Sequence, residues 1–317
     1  MGVRQLTDAQ RKHHPCVTIY LGELDEIIRS RGRNLNIINT SAELLTAFED
    51  NTFDLKRWEA YMDAYVPGAK ELCLQDMRDC ISAGYSWESA FQPVLDAVVC
   101  DAKKREEAVR SFVAVTEGLE KKIRDRFGKE LDADVILYLG LCNGAGWVTE
   151  VNGRTTVLLG IEKIMELDFC DIDAMNGLIV HELGHVYQAQ YGVFRITTET
   201  PGERFLWQLF TEGIAMVFEQ EIIGDPEYFH QDKDGWKDWC DENAARIRDS
   251  FSSDLKSMTR ENQRYFGDWV RFDGHGDTGY YLGARFVRFL LQTDDLNSLI
   301  SYDISEVKAG FSDFIHS

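Results

Sequence analysis

Two histidines stand four residues apart at 181 and 185, in the stretch NGLIVHELGHVYQAQYG, with Glu182 directly after the first. On an α-helix a four-residue step turns about 400° and rises about 6 Å, so His181 and His185 share one face and converge on a single ion. Glu182 lies about 100° around the helix, at the flank of that ion, where a carboxylate hydrogen-bonds a water in an open coordination position. The chemistry this trio suits is metal-assisted hydrolysis, with one zinc ion per chain and Glu182 as the general base. The chain has seven histidines. With so few, the spacing arises by accident on the order of once in a hundred such sequences.

Two imidazoles do not complete a catalytic zinc site, which takes a third protein ligand. One solution places a histidine six residues after the second, with a glycine between, but Tyr191 and Gln188 occupy those positions. Further on, RFLWQLFTEGIAMVFEQEIIG sets Glu212 within a strongly apolar helix among Phe205, Leu209, Phe210, Val217 and Phe218. An unpaired buried carboxylate is costly, and a zinc ion compensates its charge. Gly213 beside it is expected to let two helices approach closely.

The pair HELGH and TEGIA resembles the gluzincin metallopeptidases, whose third ligand is a glutamate in an E-G-x-A helix downstream of the H-E-x-x-H helix. Here 26 residues separate His185 from Glu212, more than is usual in the aminopeptidase branch, whose glutamate position is held by Arg204. Glu199 and Glu203 therefore stand as rivals to Glu212. Over roughly residues 131–310 the chain is similar to a bacterial family of predicted zinc-dependent proteases. Glycine-rich strands precede the metal helix there, and GYYLGARFVRFLL follows the third ligand.

The resemblance implies a zincin-like fold, a peptide or protein substrate, and zinc held by His181, His185 and Glu212. The oxyanion of such a reaction needs a donor besides the metal, and either Tyr280 or Tyr281 would supply a phenol. The other reading has both packing at the start of a helix capped by Thr278, with Gly283 allowing a close crossing. His275, in DGHGD, is a further candidate. The strand GRTTVLLG, 153–160, either offers a sheet edge to an extended peptide or lies inside the sheet. Glu150 and Glu162 are the acids placed to meet a substrate amino terminus. The alternatives are a peptide-binding protein with a structural or decayed zinc site, or a zinc hydrolase of non-peptide amides.

Positioning these residues calls for an α+β, mostly helical chain with a small β-sheet packed on the metal-binding helix. Its 317 residues are 44% hydrophobic and include five prolines, so long helices meet few obstacles. Residues 1–130 read as a mostly helical lobe, 131–223 as the catalytic core, and 224–317 as a helical C-terminal lobe completing the cleft. Within the first, 34–39 reads as a strand, followed by a helix over SAELLTAFED capped by Thr40 or Ser41, and by helices between 53 and 128. DADVILYLGL and GRTTVLLGIEKI read as strands, and Asp171 or Asp173 as the cap of the metal helix. Helices are expected over 204–223, 236–250, 280–291 and 305–315.

With 54 acidic against 34 basic side chains the formal charge is −20. That excess disfavours phosphate backbones and anionic membranes, so neither nucleic acid nor membrane is an expected partner. No apolar run reaches spanning length and the opening residues lack a signal-type apolar core, which makes the cytoplasm the expected location. Seven scattered cysteines without a C-x-x-C pair read as reduced thiols. Oligomeric state is left open.

Overall fold

The computed structural model describes residues 34–267 and 269–317; Cys16 and the reading of residues 1–30 fall outside them. The described chain is mixed α+β and mostly helical. It divides into two compact units, one ending at Glu182 and the other covering Leu183–Ser317. The boundary falls inside one unbroken helix.

The first unit contains β1 (Leu35–Asn39), β2 (Phe48–Glu49), β3 (Thr52–Phe53), α1 (Leu55–Tyr65), α2 (Lys70–Ser82), α3 (Gln92–Cys100), α4 (Ala102–Thr116) and α5 (Leu119–Phe127). After these come β4 (Ala133–Tyr138), β5 (Trp147–Val151), β6 (Arg154–Gly160), α6 (Ile161–Glu166) and α7 (Ile172–Tyr191), whose last residues belong to the second unit. Four strands form one sheet in the order β1-β4-β6-β5. Within it β1, β4 and β6 are parallel, and β5 pairs antiparallel with β6. The near-continuous buried runs of β4 and β6 suit strands that take a neighbour on each side.

Strand 153–160 is therefore interior, and the sheet ends on β5 instead. The β5–β6 connection is Asn152-Gly153, with φ values of 52° and 75°. This is the two-residue turn that matches strand twist.

The segment SAELLTAFED is not the expected helix. It makes a single tight turn over Leu44–Ala47 and then enters the β2–β3 hairpin, which pairs Glu49 with Thr52. Asp50 and Asn51 both take positive φ, 50° and 63°, a conformation that short polar side chains tolerate and that closes the hairpin. Nor does Thr40 cap a helix, because its hydroxyl donates to Leu137 O at 2.8 Å and lies 2.6 Å from Tyr61 Oη. Tyr61 Oη also accepts the Leu139 N–H at 3.0 Å, and Trp58 Nε1 donates to Leu139 O at 2.9 Å. Both aromatic side chains are buried, so α1 pins the end of β4 with polar tips while its apolar face contributes to the core.

The second unit holds the end of α7, then α8 (Pro201–Ile223), α9 (Trp236–Glu242), α10 (Ala244–Asp254), α11 (Thr278–Leu290), α12 (Leu296–Leu299) and α13 (Ile304–Ile315). Thr200 caps α8 with Pro201 in its first turn, and Gly224 ends it in a left-handed conformation. The helix expected over 236–250 is broken at Asn243, whose side-chain amide donates to Trp239 O at 2.9 Å, the local bonding that makes asparagine a poor helix-interior residue. Thr278 is the first residue of α11 rather than its cap; Asp277, with φ 57°, precedes it without a side-chain capping bond. A capping box of Asp303 and Glu306 starts α13. Among the described residues no helix is long and apolar enough to cross a membrane.

Candidate functional site

Asp171 starts α7: its Oδ1 accepts the N–H groups of Asp173 and Ala174, each at 2.9 Å. From there α7 runs unbroken through His181, Glu182 and His185, all three of them buried. Gly184, between the histidines, has no room for a side chain, since a Cβ there would lie 2.8 Å from Ala215 Cα on α8. This is the close approach that places Glu212 beside the histidines. Gly213, expected to serve it, faces Gly283 on α11 instead, with a Cβ position 2.3 Å from Gly283 O.

Glu212 Oε2 stands 3.3 Å from His185 Nε2. One ligand atom from each of His181, His185 and Glu212 lies within 4.8 Å of the others, so the three residues named from the sequence converge. Tetrahedral bonds of about 2.0–2.2 Å put neighbouring ligand atoms about 3.3–3.6 Å apart, which is the separation His185 and Glu212 already have. Two buried imidazoles and a part-buried carboxylate fit a divalent metal ion. The His185 ring is flanked by Phe194, with centroids 5.4 Å apart, and Phe194 O accepts Trp207 Nε1 from α8 at 2.9 Å.

The two rivals for the third ligand are engaged at the start of α8. Glu203 Oε2 accepts the Glu199 N–H at 2.7 Å and its other oxygen pairs with Lys308, which holds the Glu203 carboxyl below the usual carboxylate range. Neither joins a metal-type cluster among the described residues.

A second cluster was not read from the sequence. Glu219 is fully buried on α8, two turns beyond Glu212, and both its oxygens lie 3.0–3.1 Å from His230 Nδ1. The His230 N–H also donates to Glu219 Oε1 at 3.3 Å. Ligand atoms of Glu219, His230 and His181 again lie within 4.8 Å of one another. The signal was a second carboxylate seven residues after Glu212 on the same apolar helix, because a buried acid requires a partner.

Of the tyrosines, Tyr281 is buried and its hydroxyl donates to Asp241 Oδ1 at 2.7 Å, while burial pushes its pKa up to about 12. Arg285 completes that network, binding Asp241 at 2.8 Å and both oxygens of Glu227 at 2.7–2.8 Å. Tyr280 is less buried and packs edge-on to Phe266. His275 stacks on Trp239 with centroids 3.7 Å apart, on a small hairpin closed by paired backbone bonds with Phe272.

Glu162 is no surface acid. It is buried in the first unit, accepting the Gly140 N–H at 2.9 Å and the Cys142 N–H at 3.1 Å, and burial pushes its pKa up to about 7. Glu150 lies half-buried on β5. The six described cysteines are free, and all but Cys100 are buried. The chain matches no protein-family model, no curated protein and no solved structure.

Proposed function

We propose that the chain is a zinc metallopeptidase of the gluzincin kind, with a zincin-like fold, holding one zinc ion through His181, His185 and Glu212. The observation that carries this reading is the 3.3 Å approach of Glu212 on α8 to His185 on α7, within the cluster that includes His181. When bound, zinc supplies Lewis-acid polarisation of the scissile carbonyl and lowers the pKa of the attacking water. The remaining work falls to the chain's own groups.

Glu182 follows the first histidine without being needed as a ligand, and a purely structural site has no use for a base at that position. Its carboxylate takes the proton from the attacking water and returns it to the leaving nitrogen. An oxyanion donor besides the metal would come from Tyr280 or Tyr281, of which Tyr281 already donates to Asp241.

The test compares Glu182→Gln with His181→Ala. The first is expected to keep its zinc and thermal stability while peptide hydrolysis falls by about 10² to 10⁴. The second is expected to lose both metal and activity. Parent-level hydrolysis in Glu182→Gln would defeat the mechanism, and a chelator-insensitive parent would defeat the zinc assignment.

A further inference from the structure

Between β4 and β5 the chain runs through Leu139-Gly140-Leu141-Cys142-Asn143-Gly144-Ala145-Gly146, too rich in glycine to hold one shape by itself. It is nevertheless tied at every step. Glu162 accepts the N–H groups of Gly140 and Cys142, one on each carboxylate oxygen. Asn143 Oδ1 accepts the Leu141 N–H at 3.0 Å, and its amide donates to Cys73 O at 3.1 Å and Asp76 Oδ2 at 2.8 Å on α2. Ala145 O accepts the Gly160 N–H at 3.1 Å. Cys142, at φ 59°, is held in a left-handed conformation that a non-glycine residue keeps only when its surroundings over-determine it.

The glycines make room for the anchor. A Cβ at Gly140 would lie 2.5 Å from Glu162 Oε1, and one at Gly160 would lie 3.0 Å from the same oxygen. At the far end of the loop, a Cβ at Gly146 would lie 2.8 Å from both Cγ and Oε1 of Glu182. The backbone at Gly146 is thus the wall against which the Glu182 carboxylate rests.

We infer that Glu162 is a positioning residue for Glu182: its carboxylate locks loop 139–146, and the locked loop fixes the side-chain pose of the base. The inference rests on the role of Glu182 in the proposed peptidase reaction. A buried carboxylate carries a desolvation cost that an apolar residue would not, and here two backbone donors offset part of it while engaging both of its oxygens. Glutamine cannot substitute, since it offers one acceptor oxygen and turns an NH₂ group toward the other backbone N–H whichever way it is flipped.

The test is Glu162→Gln in the full chain loaded with zinc, beside Val98→Ala as a variant that weakens the core of the same unit without removing either bond from Glu162 to the loop. Amide hydrogen exchange over 139–146 is expected to speed up at least tenfold in Glu162→Gln. Crystal structures are expected to show Glu182 displaced from its parent pose. The kcat is expected to fall about 10- to 100-fold, with zinc content and KM at parent values. Val98→Ala should move none of these readouts. Parent-like exchange in the loop, or an unmoved Glu182 beside a loosened loop, would overturn the inference. Exchange and the Glu182 pose are read without any turnover, so a parent that cleaves no peptide would count against the peptidase reading alone.

Discussion

Gly213→Ala tests whether the α8–α11 crossing, one residue from the proposed third ligand, is as tight as its geometry. A Cβ at Gly213 would meet Gly283 O at 2.3 Å and Gly283 C at 2.6 Å, and both are backbone atoms of α11. Reaching ordinary contact at 3.4 Å demands a shift of about 1 Å between the two helices. In the other direction, Gly283 could not yield by turning, since its own Cβ position is 2.6 Å from Leu209 O. Overpacking of this kind costs about 1–3 kcal/mol. Alanine in place of glycine inside a helix returns about 1 kcal/mol. The net expectation is a loss of about 0–2 kcal/mol, read as a fall in Tm of up to roughly 8 °C.

The control is Gly310→Ala in α13 of the same unit. Its Cβ would lie 2.6 Å from Leu290 Cδ2, the tip of a side chain that can rotate away. There the helix-propensity gain should survive, leaving Tm unchanged or raised. Displacing α8 also displaces Glu212, so metal affinity of Gly213→Ala should fall about tenfold, the lower end for losing the support of a ligand. Thermal unfolding by circular dichroism and a competitive chelator titration read the two effects. A Gly213→Ala variant that melts higher than the parent would refute the argument, because helix propensity alone would then be deciding the outcome.

Two further outcomes follow from the buried acids. Glu212→Ala should abolish tight zinc binding, whereas Glu219→Gln should weaken it about 10- to 100-fold, both measured by metal analysis after dialysis; the reverse order would transfer the metal to His181, Glu219 and His230. Glu162 has a folded-state pKa of about 7 against 4.5 in the unfolded chain, so it favours the folded state fully below about pH 4.5 and that contribution is lost as pH rises to about 7. The difference in urea-unfolding free energy between parent and Glu162→Gln should therefore shrink by about 3 kcal/mol from pH 4.5 to 7.5, since a tenfold change in proton affinity is worth about 1.4 kcal/mol. A pH-independent difference would refute the buried carboxyl's role.

Helix α7 was legible because its signals are local. Two histidines at helical spacing, an aspartate cap and a glutamate in an apolar run need only the chain's own periodicity to be read, and His181, His185 and Glu212 do converge. What sequence reasoning lost depended on partners distant in the chain. SAELLTAFED carries helical spacing, yet Thr40 bonds to Leu137 and Tyr61, and the Asp50-Asn51 turn folds the rest into a hairpin. The turn dipeptide was present but outweighed by the apolar pattern. Strand 153–160 was visible, but its interior place follows from β5, a strand whose pairing depends on the Asn152-Gly153 turn. Which crossing a glycine serves depends on register between helices, so the α7–α8 approach falls to Gly184, while Gly213 serves the α8–α11 crossing with Gly283.

The three acids Glu162, Glu212 and Glu219 have different partners, and the difference argues for where a cation belongs. Glu162 has both oxygens occupied by backbone N–H groups. Glu219, fully buried, has both oxygens against the ring nitrogen of His230 and one against its backbone N–H, so a neighbour already offsets its charge. Glu212 instead faces His185, a residue whose spacing from His181 is itself the signature of a shared ion. A divalent ion between them would bond the imidazole nitrogen and neutralise the carboxylate together. Along α8, Glu219 meets the ring and backbone of a single histidine, whereas Glu212 meets a histidine of the H-E-x-x-H pair, and for that reason the proposed metal site is built on Glu212 and not on Glu219.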